Sequence, residues 1–231
     1  MRRLFLFLMA VFASITFVAC SQDDDVVYSC DKSVDSWVKE HLPEIRSMTR
    51  SEWMELPASV DRAAYVAFTP EQKLAFWRDK FAEVLAMSSW SEAEVAHIRK
   101  AANFIETHVD IFADGGLTSS EEDELDTFFY KWKKYGQEQL GWDKEVAYYI
   151  AASGLPMPER GNDGNVTPTT KGSDHFEVYD PTSSSCDCNL NHDFCWGSSM
   201  SGSCHNSDCD DSTIGCGWVW LQDCNGECDP M

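Results

Sequence analysis

Cysteine placement constrains this chain more than any other feature. Eight of its ten cysteines fall within one short stretch near the C-terminus: Cys186, Cys188, Cys195, Cys204, Cys209, Cys216, Cys224 and Cys228. The same stretch has few large apolar residues, chiefly Leu190, Phe194, Trp196, Ile214, Trp218, Val219, Trp220 and Leu221. A piece this small rarely folds on its core alone. Four bridges at roughly 2–4 kcal/mol each supply what the core lacks. The expectation is a disulfide-rich module over residues 186–231, its connectivity open because eight cysteines allow about 105 pairings.

Oxidation needs an exported chain, and the N-terminus reads as an export signal. Met1-Arg2-Arg3 is a short positive start, followed by an apolar run from Leu4 to Ala19, the layout of a signal peptide over residues 1–19. Phe17-Val18-Ala19-Cys20 resembles a bacterial lipobox, which implies a diacylglycerol on Cys20 and an outer-membrane lipid partner. Ser21-Gln22-Asp23-Asp24-Asp25 follows at once. It resembles the acidic tag that sends Bacteroidetes lipoproteins to the outer face of the outer membrane. Residues 20–30 are therefore expected to be a lipidated acidic tether.

Residues 31–155 read as a helical bundle with an aromatic core. Thr69-Pro70-Glu71-Gln72 combines a cap, proline at the first helical position and glutamine at the capping-box position. Leu74, Phe76, Trp77, Phe81, Val84 and Leu85 follow at helical spacing. A second box runs from Ser91 to Glu94 and a third from Ser119 to Glu122, and Gly141 stops the last long helix. Shorter helices are expected near 33–42, 44–54, 59–67 and 143–152. Residues 156–185 are rich in Gly, Pro, Ser and Thr and read as a flexible linker open to proteases. The fold class is mainly α: an N-terminal bundle, a linker and a small disulfide-rich module.

Charge and motif content narrow the chemistry. The net charge is −21, which argues against nucleic acid, since phosphate binding needs clustered Lys and Arg. His175, His192 and His205 lie among the tail cysteines, and Cys204/Cys209 and Cys224/Cys228 have knuckle-like spacing, but an exported module with an even number of cysteines favours bridges over zinc. Disulfides are the better reading, and no metal or cofactor is assigned. No Cys-x-x-Cys or Gly-x-Ser-x-Gly is present, and His41, His97 and His108 read as ordinary helix residues. No catalytic residue is assigned and the chain is not read as an enzyme.

The pointed motif is Gly215-Cys216-Gly217-Trp218-Val219-Trp220, followed by Cys224-Asn225-Gly226. In an extended segment Trp218 and Trp220 share a face, and Asn225-Gly226 signals a tight turn. The pair serves either as the module's miniature core or as an exposed anchor for a target, and target contact is the assigned role. Cys186-x-Cys188, Asp193-Phe194-Cys195, Gly215-Cys216-Gly217, Trp218-Val219 and Cys224-Asn225-Gly226 resemble, in order, the eight-cysteine bacteriocin fulvocin C. A lipoprotein with helices ahead of such a module is similar to the Bacteroidetes group called bacteriocin fulvocin C-related proteins. That resemblance implies a surface-anchored precursor of a disulfide-stabilised antibacterial peptide, released by a cut in the linker and acting on the envelope of competitor bacteria. Residues 172–231 hold eleven Asp or Glu and no Lys or Arg, so attraction to anionic membrane cannot drive such an action. The alternative is a non-toxic surface-binding lipoprotein with an adhesin- or inhibitor-like head.

Overall fold

The computed structural model describes residues 26–161, 164, 166, 188–191, 200–206 and 213–230, with backbone alone at 200–203, 213 and 227–230. The signal run, Cys20, Asp23–Asp25, Cys186, Cys195, Cys209, His175 and His192 lie outside the described residues, and Cys228 is described by its backbone only.

The described part is mainly helical, with two disulfide-bonded pairs near the C-terminus. The helices are α1 (Lys32–Glu40), α2 (Leu42–Ile45), α3 (Arg50–Trp53), α4 (Ala58–Val66), α5 (Pro70–Ala86), α6 (Glu92–Thr107), α7 (Ser119–Leu140) and α8 (Lys144–Ala151). A 3-10 turn at Val109–Phe112 joins α6 to the loop before α7. The strands are β1 (Met200–Asn206), β2 (Thr213–Cys216), β3 (Gln222–Cys224) and β4 (Gly226–Pro230). They form two antiparallel ribbons, β1 with β4 and β2 with β3, and a second 3-10 turn at Trp218–Trp220 links β2 to β3.

Local chemistry sets the helix ends. Reciprocal capping boxes start α5 at Thr69 and Gln72 and α6 at Ser91 and Glu94. The box before α7 is Thr118 with Glu121, one residue earlier than expected. Gly141 ends α7 in the left-handed conformation at φ 72°. The helix expected over 44–54 is two short helices. Thr49 accepts from the Glu52 amide and its own amide donates to the Glu52 carboxylate at 2.8 Å, so a new helix is capped where the old one would have continued.

Helices α5, α6, α7 and α8 pack as a group, α5 touching both α6 and α8, with α1 laid on α4 and α3 wedged against α4 and α5. The core is one apolar cluster. It runs from Tyr28 through Trp53, Tyr65, Phe76, Trp77, Ile98, Phe129 and Trp132 to Ile150, and it includes Trp218, Val219, Trp220 and Leu221.

Three expectations are corrected here. The bundle and the C-terminal segment do not have separate cores, because the apolar quartet 218–221 fills the helical interior. The start of the supposed linker belongs to the body. Met157 and Val166 are buried, and Arg160 stacks over the Trp90 ring at 4.2 Å while its Nη2 lies 2.9 Å from the Glu94 carboxylate. A few well-placed anchors outweigh the Gly- and Pro-rich composition around them. Asn225 does not turn a hairpin: β3 and β4 pair with different strands, and the amides of Asn225 and Gly226 both donate to the Cys188 carbonyl at 3.0 Å.

Candidate functional site

The structure places Trp218 and Trp220, which the sequence marks as target contacts, inside the protein, at 1 % and 4 % exposure. They do not sit on an extended face. Gly217, Val219 and Trp220 all have positive φ (69°, 45° and 54°), which folds the segment into a knob. Left-handed backbone is unusual for any residue with a side chain and more so for β-branched Val219. Two such residues cost about 1–3 kcal/mol each, so the surroundings must over-determine them.

Those surroundings can be named. The Cys216–Cys224 bridge closes the loop, with Cα atoms 5.1 Å apart. Gly217 is required on two counts, its positive φ and the Gln222 side chain pressed where a Cβ would sit. Gln222 is buried; its Oε1 accepts from the Trp218 amide at 3.0 Å, and its Nε2 donates to Asp126 on α7 at 2.7 Å. Loop shape and docking to the helices therefore share one side chain.

The body supplies a matching seat. The Trp220 ring lies edge-to-face with Tyr65 (5.0 Å) and Trp77 (5.7 Å), the geometry aromatic quadrupoles favour, and tilted against Trp53 and Phe76. Its indole N–H donates to the Ala152 carbonyl at 2.8 Å. Arg62 covers its outer face at 4.2 Å and donates to the Gly215 carbonyl. Trp218 stacks on Phe129 at 4.8 Å and 11°. The Tyr65 hydroxyl donates to the Val219 carbonyl at 3.1 Å and accepts from the Trp77 indole at 2.9 Å. Burial pushes the Tyr65 phenol far above its ordinary value, which keeps it a donor. Burying four such side chains is worth roughly 6–12 kcal/mol by area, at about 1.5–3 each. That exceeds the backbone strain.

Behind the seat lies a buried charged cluster. Arg50 and Lys80 are 6 % and 0 % exposed. Arg50 donates from Nε and Nη2 to the Gly154 carbonyl and pairs with Glu83 at 2.7 Å. Lys80 donates to the Leu155 carbonyl and lies 3.6 Å from Glu83, whose Oε1 accepts from the Met157 amide at 2.8 Å. Burial pulls the Lys80 ammonium down to about 7, against the raising influence of Glu83. Glu83 is pushed up by burial but held lower overall by Lys80, the Met157 amide and Arg50. The cluster clamps residues 154–157, and Gly154 in turn meets Trp220: a Cβ there would lie 2.5 Å from its ring and 2.7 Å from Phe76.

Of the eight expected disulfide cysteines, four form bridges among the described residues: Cys188–Cys204 and Cys216–Cys224. The first ties the 188–191 segment to the β1–β4 ribbon. Sequence reasoning missed Arg50, Lys80, Arg62, Asp126 and Gln222. One signal was present: Lys73, Phe76, Trp77, Lys80, Phe81 and Val84 share one helical stripe, which puts Lys80 on the core face. Among the described residues no group of three or more His, Cys, Asp or Glu can hold a metal ion. No helix among them is long and apolar enough to cross a membrane. No family model, curated protein or solved structure matches the chain.

Proposed function

We propose that this is a lipid-anchored protein of the outer membrane's outer face that acts by binding a partner, in the manner of an adhesin or inhibitor, rather than by releasing a toxin. The observation that carries this reading is the burial of Trp218, Val219, Trp220 and Leu221 in the helical core. Residues consumed in this way are not available to a target, and a cut in the linker leaves them held. The part of the tail that faces outward is the bridged ribbon, where His205, Asn206 and Leu190 are exposed. A small scaffold stapled by Cys188–Cys204 presents such residues rigidly, which lowers the entropic cost of binding. The anchor is the acyl chain on Cys20, and no catalysis or nucleic-acid binding is part of the reading.

A second reading keeps the antibacterial precursor and makes the helical body its mask. The order of cysteine motifs favours it, as does the seat itself, which would hold the aromatic pair inactive until the segment is withdrawn.

One experiment separates the two. Purified oxidised protein, intact and cut between residues 167 and 187, is applied to growing cultures of related bacteria, and retention on the cells is measured alongside growth. Binding predicts no inhibition by either form and saturable retention that weakens in a Leu190→Asp, His205→Ala variant. Inhibition by the cut form alone would overturn it in favour of the masked precursor.

A further inference from the structure

The described chain begins at Val26, and its first fixed residue is Tyr28. The Tyr28 side chain is buried, its amide donates to Asp35 on α1 at 2.7 Å, and its hydroxyl accepts from Arg46. Before it stand Val26 and Val27, 42 % and 39 % exposed. They are the only sequence neighbours among the exposed large apolar residues described. A solvated tether needs no such pair, and the composition changes abruptly from Asp23-Asp24-Asp25 to Val26-Val27.

Chain length says what covers them. Seven residues, Ser21–Val27, separate Cys20 from Tyr28. Eight steps of fully extended chain span at most about 26–29 Å. With an acyl chain on Cys20, the α1 edge of the body can therefore stand no farther than that from the headgroups. Lys32 at the start of α1, five residues beyond Val27, is also exposed. An ammonium close in sequence to two exposed valines suits phosphates above an acyl boundary, an arrangement common at membrane interfaces. The acidic tether and the net charge of −21 exclude anionic lipid as the favoured surface.

We propose that Val26, Val27 and Lys32 form a lipid-seating edge that rests on zwitterionic lipid and fixes the orientation of the body on the membrane. The proposal rests on the lipid-anchor reading, and its test separates the two. Full-length acylated protein, purified in detergent, is reconstituted into phosphatidylcholine–phosphatidylethanolamine vesicles, and amide exchange is compared with that of soluble Cys20→Ala protein. Amides over residues 27–34 should exchange severalfold more slowly on vesicles. A Val26→Asp, Val27→Asp double variant should still float with the vesicles and return those amides to the soluble rate. Wild-type protein that floats and shows unchanged exchange overturns the seating edge and leaves the anchor standing. Protein that does not float overturns the anchor, and the edge with it.

Discussion

Lys80 occupies a core position on α5, and its environment decides its charge. Its ordinary value is 10.5, and burial brings it to about 7 in the folded protein. Between those values the unfolded chain holds a proton that the folded chain lacks, so stability rises with pH across that window, by up to about 1.4 kcal/mol per unit. Urea midpoints measured from pH 7.5 to 9 should climb for the wild type, and Lys80→Met should flatten the climb. His97 acts at the acid end. It is 3 % exposed and stacks on Trp132 at 5.4 Å; its Nε2 donates to the Trp132 carbonyl at 2.8 Å, while Nδ1 has no partner among the described residues. Burial lowers it below the ordinary 6.5, against the raising effect of that carbonyl. A group depressed in this way stabilises the fold above the unfolded value and loses that contribution as pH falls below 6.5. Wild type should therefore lose more stability between pH 7 and 5 than His97→Gln does. Gly154→Ala puts a methyl against Trp220 and Phe76, and overpacking of this kind costs about 1–3 kcal/mol in chemical denaturation.

Element by element, the long helices were legible because the chain carries their start signals. The boxes before α5 and α6 read correctly because capping is local chemistry between residues three apart. The interruption at Thr49 was equally local and written in Thr49 and Glu52, but a continuous helical pattern obscured it. The knob at 217–222 was not legible. Its left-handed Val219 and Trp220 run against local preference and exist because Gln222, the Cys216–Cys224 bridge and the seat on α4, α5 and α7 require them. Alternation put Trp218 and Trp220 on one face of an extended strand, which is the wrong local geometry for them. Trp220→Ala should cost about 3–5 kcal/mol, the range for large aromatic deletions. The loss should appear in the helical circular dichroism signal on urea titration, because the side chain is part of the helical core.

At the scale of the molecule, cysteine density divides the chain at residue 186 while packing does not. A bundle whose stripes are built from Trp53, Tyr65, Phe76 and Phe129 looks complete in the sequence; the structure shows the gap among those rings filled by Trp218 and Trp220, from about 90 to 170 residues downstream. Contacts so distant leave no periodic trace. Two of the charged residues buried at the core, Arg50 and Lys80, were a remaining hint, since buried cations need partners and theirs include the carbonyls of Gly154 and Leu155. The central claim is that residues 213–224 are an integral part of the helical body. Native mass spectrometry of the oxidised chain, cut once between residues 167 and 187, tests it most directly. Retention of the C-terminal fragment on the body in a one-to-one complex is the predicted result. Separation of the two fragments under native conditions, with the body still folded, would contradict it.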